Sequence, residues 1–428
     1  MLSPVHRPAA SLVPSLIKRN TALFALAQSF NGAGMQLAYG LGPLMVLALT
    51  GSPGLAGLSV ALLGISRFLV AYPIGKLTDT YGRKIGIILG QVLALIGAIA
   101  AGVSIDTRSV TLLVGGMLVF GMGMSAAQQM RVAATDMFPP QLRAQALGYI
   151  ALGSMLGMVL SPILVKIAET LAAGSGHDPL GLPWLLVPLL IVPGMVLVRF
   201  VRPDPKEIGQ HLERYYPDYT PPPARPIGNG QAFSARRLLQ NFPIRLAVVC
   251  NCAAQGNMAI MMVLTSLVLH HHGHSLASIS MSHAFHSAGM FAFTIPLGRL
   301  ADHMGRRKVM VGGVAMTLFA AGLVAFTDAY WSITLGTFLV GLGWAGANVA
   351  ATASIADHAV TEERGRAIGV NDSVGGAITV LMAIVTGPLI QWYGLPAAGV
   401  LAILVAMIPL PLLPAVLAER RAVRLGRS

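Results

Sequence analysis

Charge is scarce in this chain. Only 11% of its 428 residues are Asp, Glu, Lys or Arg, against about 25% in an ordinary soluble domain, which excludes a globule solvated on all sides by water. Cysteine is scarcer. The two present, Cys250 and Cys252, stand two apart on one expected helix, a poor geometry for a bridge, so no disulfide framework is implied. A nucleotide-binding loop, a zinc-protease motif and a nucleophile elbow are missing, as is any soluble segment large enough for signalling output. An enzyme or a sensor is therefore not expected.

What the chain has instead is apolar length. It is 55% hydrophobic with a mean hydropathy of +0.70, and runs of about 20 apolar residues, enough to cross a bilayer as a helix, recur along it. The pattern predicts an all-α integral membrane protein of twelve transmembrane helices, at 21–49, 55–75, 85–104, 109–130, 145–168, 183–201, 243–269, 278–297, 309–327, 330–352, 366–391 and 395–417. The first run follows Lys18 and Arg19 and is too long for a signal-peptide core, so it is read as an uncleaved helix.

The net charge of +13 is explained by its placement. Basic residues crowd the N-terminal tail, the 76–84 turn, the 202–245 connector, the 299–308 turn and the C-terminal tail, where Arg420, Arg421, Arg424 and Arg427 lie. The alternate loops carry few. That asymmetry puts both termini and the connector in the cytoplasm, so charge here records topology and no nucleic-acid partner is expected.

The chain repeats itself. "PIGKLTDTYGRKIGI" from Pro73 returns as "PLGRLADHMGRRKVM" from Pro296, 223 residues later, and "DMFPPQLRAQALG" from Asp136 returns as "DHAVTEERGRAIG" from Asp357, 221 residues later. Two motifs at nearly one offset indicate duplication. The halves are 1–201 and 243–428, joined by a Pro-rich, charged 202–242 linker that is read as cytoplasmic.

These motifs carry a resemblance to the major facilitator superfamily over essentially the whole chain. The pattern G-x-L-x-D-x-x-G-R-[KR] between the second and third helices of each half is that superfamily's signature. It implies two pseudo-symmetric six-helix halves, alternating access, and usually a monomer. It also implies a cytoplasmic gate in which Asp79 and Arg83, with Asp302 and Arg306, pair with neighbouring helix ends. Asp136, Arg143, Asp357 and Arg364 belong to the same network, and Arg131 is expected to join it. Arg67 either lines the cavity or pairs with a carbonyl. Two departures leave coupling and direction open: Met117 stands where proton-linked members often carry arginine, and Ser161 replaces a glycine of the antiporter pattern.

One hairpin stands out. "NMAIMMVLTSLVLHHHGHSLASISMSHAFHSAGM", from Asn257 to Met290, sets Met258 and Met262 four apart on the seventh helix and His286 and Met290 four apart on the eighth. With the tip near His274, Met262 lies twelve residues before it and His286 twelve after; Met258 lies sixteen before and Met290 sixteen after. At 1.5 Å per residue both levels fall roughly 18–24 Å from the tip, inside the hydrocarbon region. An i,i+4 pair keeps to one helical face. Thioethers with imidazole suit copper, most naturally Cu(I), whereas zinc normally wants thiolate, more histidine or carboxylate. Each pair alone is ordinary packing, since Met fills helix interfaces routinely; their coincidence at matched depth points to a metal. His283, on the same face as His286, is either an auxiliary ligand or a core hydrogen-bonding group. His270, His271, His272 and His274 at the mouth either gather the ion or form a solvated loop.

Met-x-x-x-Met followed by His-x-x-x-Met on these two helices resembles the CcoA-type copper importers, a bacterial branch of the superfamily that supplies copper for assembly of the cbb3-type cytochrome oxidase. The resemblance implies that Met258, Met262, His286 and Met290 bind the metal, in a carrier of the bacterial cytoplasmic membrane that hands copper to a cytosolic acceptor. Copper is then the transported substrate, and no prosthetic group is expected. The family has cysteines that influence uptake; Cys250 stands where one is expected, and Ala254 stands where a second would be. An inward ladder follows: the histidine mouth, Met262 with His286, Met258 with Met290, then Cys250. The alternative is a carrier for a small organic solute, such as a riboflavin-like vitamin or a drug, using polar groups on helices one and four (Gln28, Asn31, Gln36, Gln128, Gln129).

Overall fold

Among the described residues, twelve bilayer crossings, all helical, build the molecule. The computed structural model describes residues 13–139, 142–217, 219, 234–359 and 363–412, with the side chain of Arg364 outside the description. The N-terminal half contains α1 (Ser15–Thr50), α2 (Leu58–Tyr81), α3 (Arg83–Asp106), α4 (Val110–Ala127), α5 (Arg143–Ser175) and α6 (Pro188–Phe200). The C-terminal half contains α7 (Phe242–His271), α8 (Leu276–Ala292), α9 (Arg306–Phe326), α10 (Tyr330–His358), α11 (Arg364–Tyr393) and α12 (Leu395–Met407). Eleven of the crossings are helices long and apolar enough to span on their own. The eighth is made of two pieces, α8 and a further helix Thr294–Met304, separated at Phe293. Pro296 supplies the reason: it lacks an N–H and so belongs in the first turn of a new helix. The fourth crossing likewise resumes after α4 as Met130–Asp136.

Small residues hold the helices together, as expected where lipid removes the hydrophobic drive for association. A Cβ on Gly97 of α3 would come within 2.2 Å of the Phe120 backbone on α4, and one on Gly313 of α9 within 2.5 Å of the Gly343 carbonyl on α10. The two contacts lie on corresponding helix pairs of the two halves. Both signature turns use a glycine for its backbone freedom: Gly82 has φ 106° and Gly305 φ 94°, a region costly for other residues.

The halves meet through α5 against α8 and α2 against α11. Hydrogen bonds between them gather at the ends away from the basic loops. Gln36 Nε2 donates to Ser280 O at 3.3 Å, Ser161 Oγ lies 3.2 Å from Ser280 Oγ, and the Ala277 N–H reaches Glu169 Oε1 at 3.3 Å. Ser52 Oγ lies 3.0 Å from Gln391 Oε1. At the basic end, Met130–Asp136 and Thr294–Met304 pack chiefly on helices of their own halves. There α2 turns Tyr72, 78% exposed, outward beside an open groove lined by Ala71, Gly75, Lys76 and Asp79. Among the described residues the hydrogen bonds between the halves thus gather at the outer side.

The first part of the 202–242 linker is docked. Short helices Pro205–Gln210 and Leu212–Tyr215 bury Ile208, Leu212 and Tyr216 against the inner end of the N-terminal half. The Tyr216 hydroxyl donates to Met137 O at 3.2 Å, and burial pushes its phenol well above the usual range. Asp204 accepts from the backbone N–H groups of Arg83 and Lys84, at 3.0 and 3.1 Å, at the N-terminus of α3.

Candidate metal centre

The α7–α8 hairpin is pinned by one hydrogen bond. His283 Nε2 lies 2.9 Å from Ser266 Oγ. That hydroxyl is itself 2.9 Å from Gly40 O on α1 and 3.2 Å from Met262 O. Carbonyls only accept, so the hydroxyl gives its hydrogen to one of them and takes a hydrogen bond from the imidazole N–H. The bond therefore sets Ser266 opposite His283. Four residues deeper on α7 is Met262 and three deeper on α8 is His286, so the two reach the same depth to within about one residue's rise of 1.5 Å.

Thr337 of α10 joins that level from the side. Its hydroxyl lies 3.2 Å from Thr265 Oγ1 on α7, and its carbonyl is 2.9 Å from His286 Nδ1. In the neutral ring Nδ1 must carry the proton, which leaves Nε2 with a bare lone pair. Nε2 is buried and has no partner. A backbone carbonyl that fixes the tautomer from one side while the other nitrogen stays free is the usual outer support of a metal-ligating histidine. His286 reaches Thr337 because α8 and α10 touch backbone to backbone: a Cβ on Gly341 would lie 2.1 Å from His286 O and 3.2 Å from Met290 N.

Burial sorts the four residues. Met262 and His286 are each 2% exposed and Met290 is 9% exposed. Met258 is half-buried against the large core cluster that includes Met262. The Met262 and His286 level is therefore enclosed, and Met258 and Met290 lie a turn nearer the basic end. His283 is committed through Nε2 to the Ser266 strap, although its Nδ1 is also without a partner. At the mouth, His272 bonds to Val268 O and to Asp328, and His274 packs on Tyr330 with ring centroids 5.1 Å apart. His270 and His271 are exposed.

Two expectations need correction. Cys250 is not on the ladder: it is fully buried in a separate core cluster with Met310 and Ala347 of α9 and α10. Eight residues along a helix turn about 80° away from Met258. Arg131 does not join Asp136, because Arg83 occupies that carboxylate at 2.7 Å while also holding Asp79 at 2.9 Å. Arg131 instead reaches across to the C-terminal half and lies over the Phe291 ring, 5.8 Å from its centroid. In the second half Arg306 pairs with Asp302 and, at 3.3 Å, with Asp357. Arg143 is exposed and forms no ion pair among the described residues. Asp204 was not singled out in the sequence, although Asp-Pro before a charged turn is a helix-start signal.

The model of the Major Facilitator Superfamily matches residues 24–242 and 246–427. The chain belongs to that superfamily. It is similar to the MFS-type transporter YdeG of Bacillus subtilis, 27% identical over 375 residues that cover 85% of this chain and 86% of the relative. It is also similar to the riboflavin transporter RfnT of Brucella anthropi, 25% identical over 405 residues covering 92% and 95%. Among solved structures, the nucleoside transporter NupG superposes with a TM-score of 0.69 at 13% identity, covering 94% of this chain and 98% of its own. The superfamily makes this chain a multi-pass membrane transporter.

Proposed function

We propose that this carrier imports copper, as Cu(I), across the bacterial cytoplasmic membrane. The reading rests above all on His286, whose Nε2 lone pair is buried and unclaimed while Nδ1 is tied to Thr337 O. A structural histidine normally satisfies both nitrogens, since an unmet buried acceptor is costly. Met262 at the same depth adds a neutral, polarizable sulfur. Met258 and Met290 extend the donor set toward the inner side, so an ion released from the enclosed level finds a second level before the cytoplasm. Neutral donors avoid fixing charge in the membrane core and avoid an electrostatic trap on release. The cargo would then serve a cytosolic acceptor and cbb3-type oxidase assembly, as the resemblance implies. Purified carrier competing with a chromophoric Cu(I) chelator tests the reading: the parent should withdraw copper, and Met262→Ala and His286→Leu should withdraw far less. Equal withdrawal by all three rejects it.

A second reading has its own support. RfnT is named a riboflavin transporter, and Gln28 Oε1 with both amide atoms of Asn31 are buried on α1 without partners, as groups awaiting an organic solute would be. Radiolabelled riboflavin uptake that survives Met262→Ala, in cells whose copper content is unchanged by the carrier, selects this reading.

A further inference from the structure

We propose that Glu169 is a proton-operated latch on the outer side: its ionised carboxylate holds the first turn of α8 across the boundary between the halves, and external acid releases it. α8 has no acidic residue in its first turn. Its N-cap, Ser275, takes the Ser278 N–H at 3.2 Å, and the Ala277 N–H goes to Glu169 Oε1 on α5 at 3.3 Å. The negative charge that a helix N-terminus favours is thus supplied by the opposite half. Glu169 stands 26 residues after Arg143, where α5 begins. That is about 39 Å along the helix, more than the thickness of a hydrocarbon core of about 30 Å, and it places the carboxyl at the outer interface. The side chain is 17% exposed, so protons of the outer medium reach it.

The latch depends on charge. A hydrogen bond to a carboxylate is roughly twice as strong as one to a neutral acceptor, and only the ionised form answers the helix dipole. Lys166, nearly one turn back on α5, has Nζ 3.9 Å from Oε2 and is 70% exposed, a geometry worth little. Of the elements packed along α5, α1 brings only Tyr39 in its outer half, helix Leu182–Leu185 brings no titratable group, and Met130–Asp136 brings Arg131 and Asp136 at the opposite end. With α8 come His274 in the turn before it and His283 and His286 deeper along it. α10 adds Tyr330, whose hydroxyl donates to Ser278 O at 3.0 Å. The other outer bonds between the halves, from Gln36 and Ser161 to Ser280 and between Ser52 and Gln391, join uncharged groups that acid leaves unchanged. Among these contacts Glu169 therefore carries the response to acid. The latch uses none of the four soft donors and so goes beyond the copper reading.

Thiol labelling in right-side-out membrane vesicles, without copper, tests the latch. Ser280, buried on α8 below the latch, is replaced (Ser280→Cys) in a carrier whose Cys250 and Cys252 are changed to alanine, and an impermeant methanethiosulfonate is added outside. The labelling rate reports how often the outer side opens. Glu169→Gln keeps the size of the side chain and removes its charge. At about pH 7.5 the Gln variant should label about fivefold faster than the parent, the order expected for a charge at a helix N-terminus. As the outer pH falls to about 4, through the ordinary carboxyl range, this ratio should fall toward one, because the parent then carries the neutral acid. Ionisation of the introduced thiol is common to both arms and cancels. If Glu169→Gln fails to reach the membrane, Glu169→Ala serves as the charge-free arm. A ratio of one or below at about pH 7.5 overturns the proposal. So does a raised ratio that acid leaves unchanged, since Glu169 would then be a structural contact only. Because copper is absent, the outcome is independent of the thioether site.

Discussion

Replacing His286 by leucine separates a metal ligand from a structural histidine. The variant loses one N–H···O bond to Thr337, worth about 0.5–1.5 kcal/mol net. It also loses a buried nitrogen that has no partner, and such an orphan costs about 1–3 kcal/mol. Thr337 lies inside α10, so its carbonyl keeps its helical acceptor role and is not stranded. Leucine is apolar and fits a site that is 2% exposed. The balance runs from about 0.5 kcal/mol against the variant to about 2.5 kcal/mol in its favour, so metal-free His286→Leu should melt close to the parent or above it. Cu(I) reverses the order. A ligand at 100 times its Kd stabilises a protein by about 2.7 kcal/mol; the parent should gain that and the variant little. The assay is a pair of thermal melts in detergent, with and without buffered Cu(I). A metal-free variant that melts several degrees below the parent, with an undiminished rise on adding Cu(I), would refute the reasoning, because His286 would then be a core hydrogen-bonding residue.

Gly341→Ala should abolish transport, since its Cβ would enter the His286 carbonyl and force α8 from α10; uptake at matched membrane abundance checks this. Asp204→Ala should cost about 1–2 kcal/mol, the usual penalty for an N-terminal helix cap, and should speed proteolysis of the linker. The two signature arginines should differ. Arg83 and Asp136 have side chains 17% and 25% exposed, whereas Arg306 and Asp357 are 28% and 52% exposed. Arg306→Ala should therefore lower stability by about 1 kcal/mol or less, and Arg83→Ala by more, as read from melting temperatures of the two variants.

The fold was legible because it is written twice: the signature turns at Pro73 and Pro296 recur at one offset, and the same glycine conformation closes both. Depth along the hairpin was legible as well, because helical rise is fixed; the His283–Ser266 bond sets a register one residue from that obtained by counting from His274. What escaped was rotation and competition. Cys250 shares a helix with Met258 but faces a different core cluster, and eight-residue spacing conceals that turn. Arg131 was expected in the network around Asp136 because it lies five residues before that carboxylate; the structure gives the carboxylate to Arg83. Docking of the linker was hidden by its prolines and charges, although Ile208, Leu212 and Tyr216 form the apolar face that binds it.

Accumulation of 64Cu by intact cells expressing the carrier or Met262→Ala, at equal membrane abundance, tests the central claim most directly. Met262 has no hydrogen-bonding side-chain role and lies at the His286 depth, so the account predicts that the parent accumulates copper above empty cells and the variant falls toward them. Accumulation by the variant equal to the parent's would contradict it.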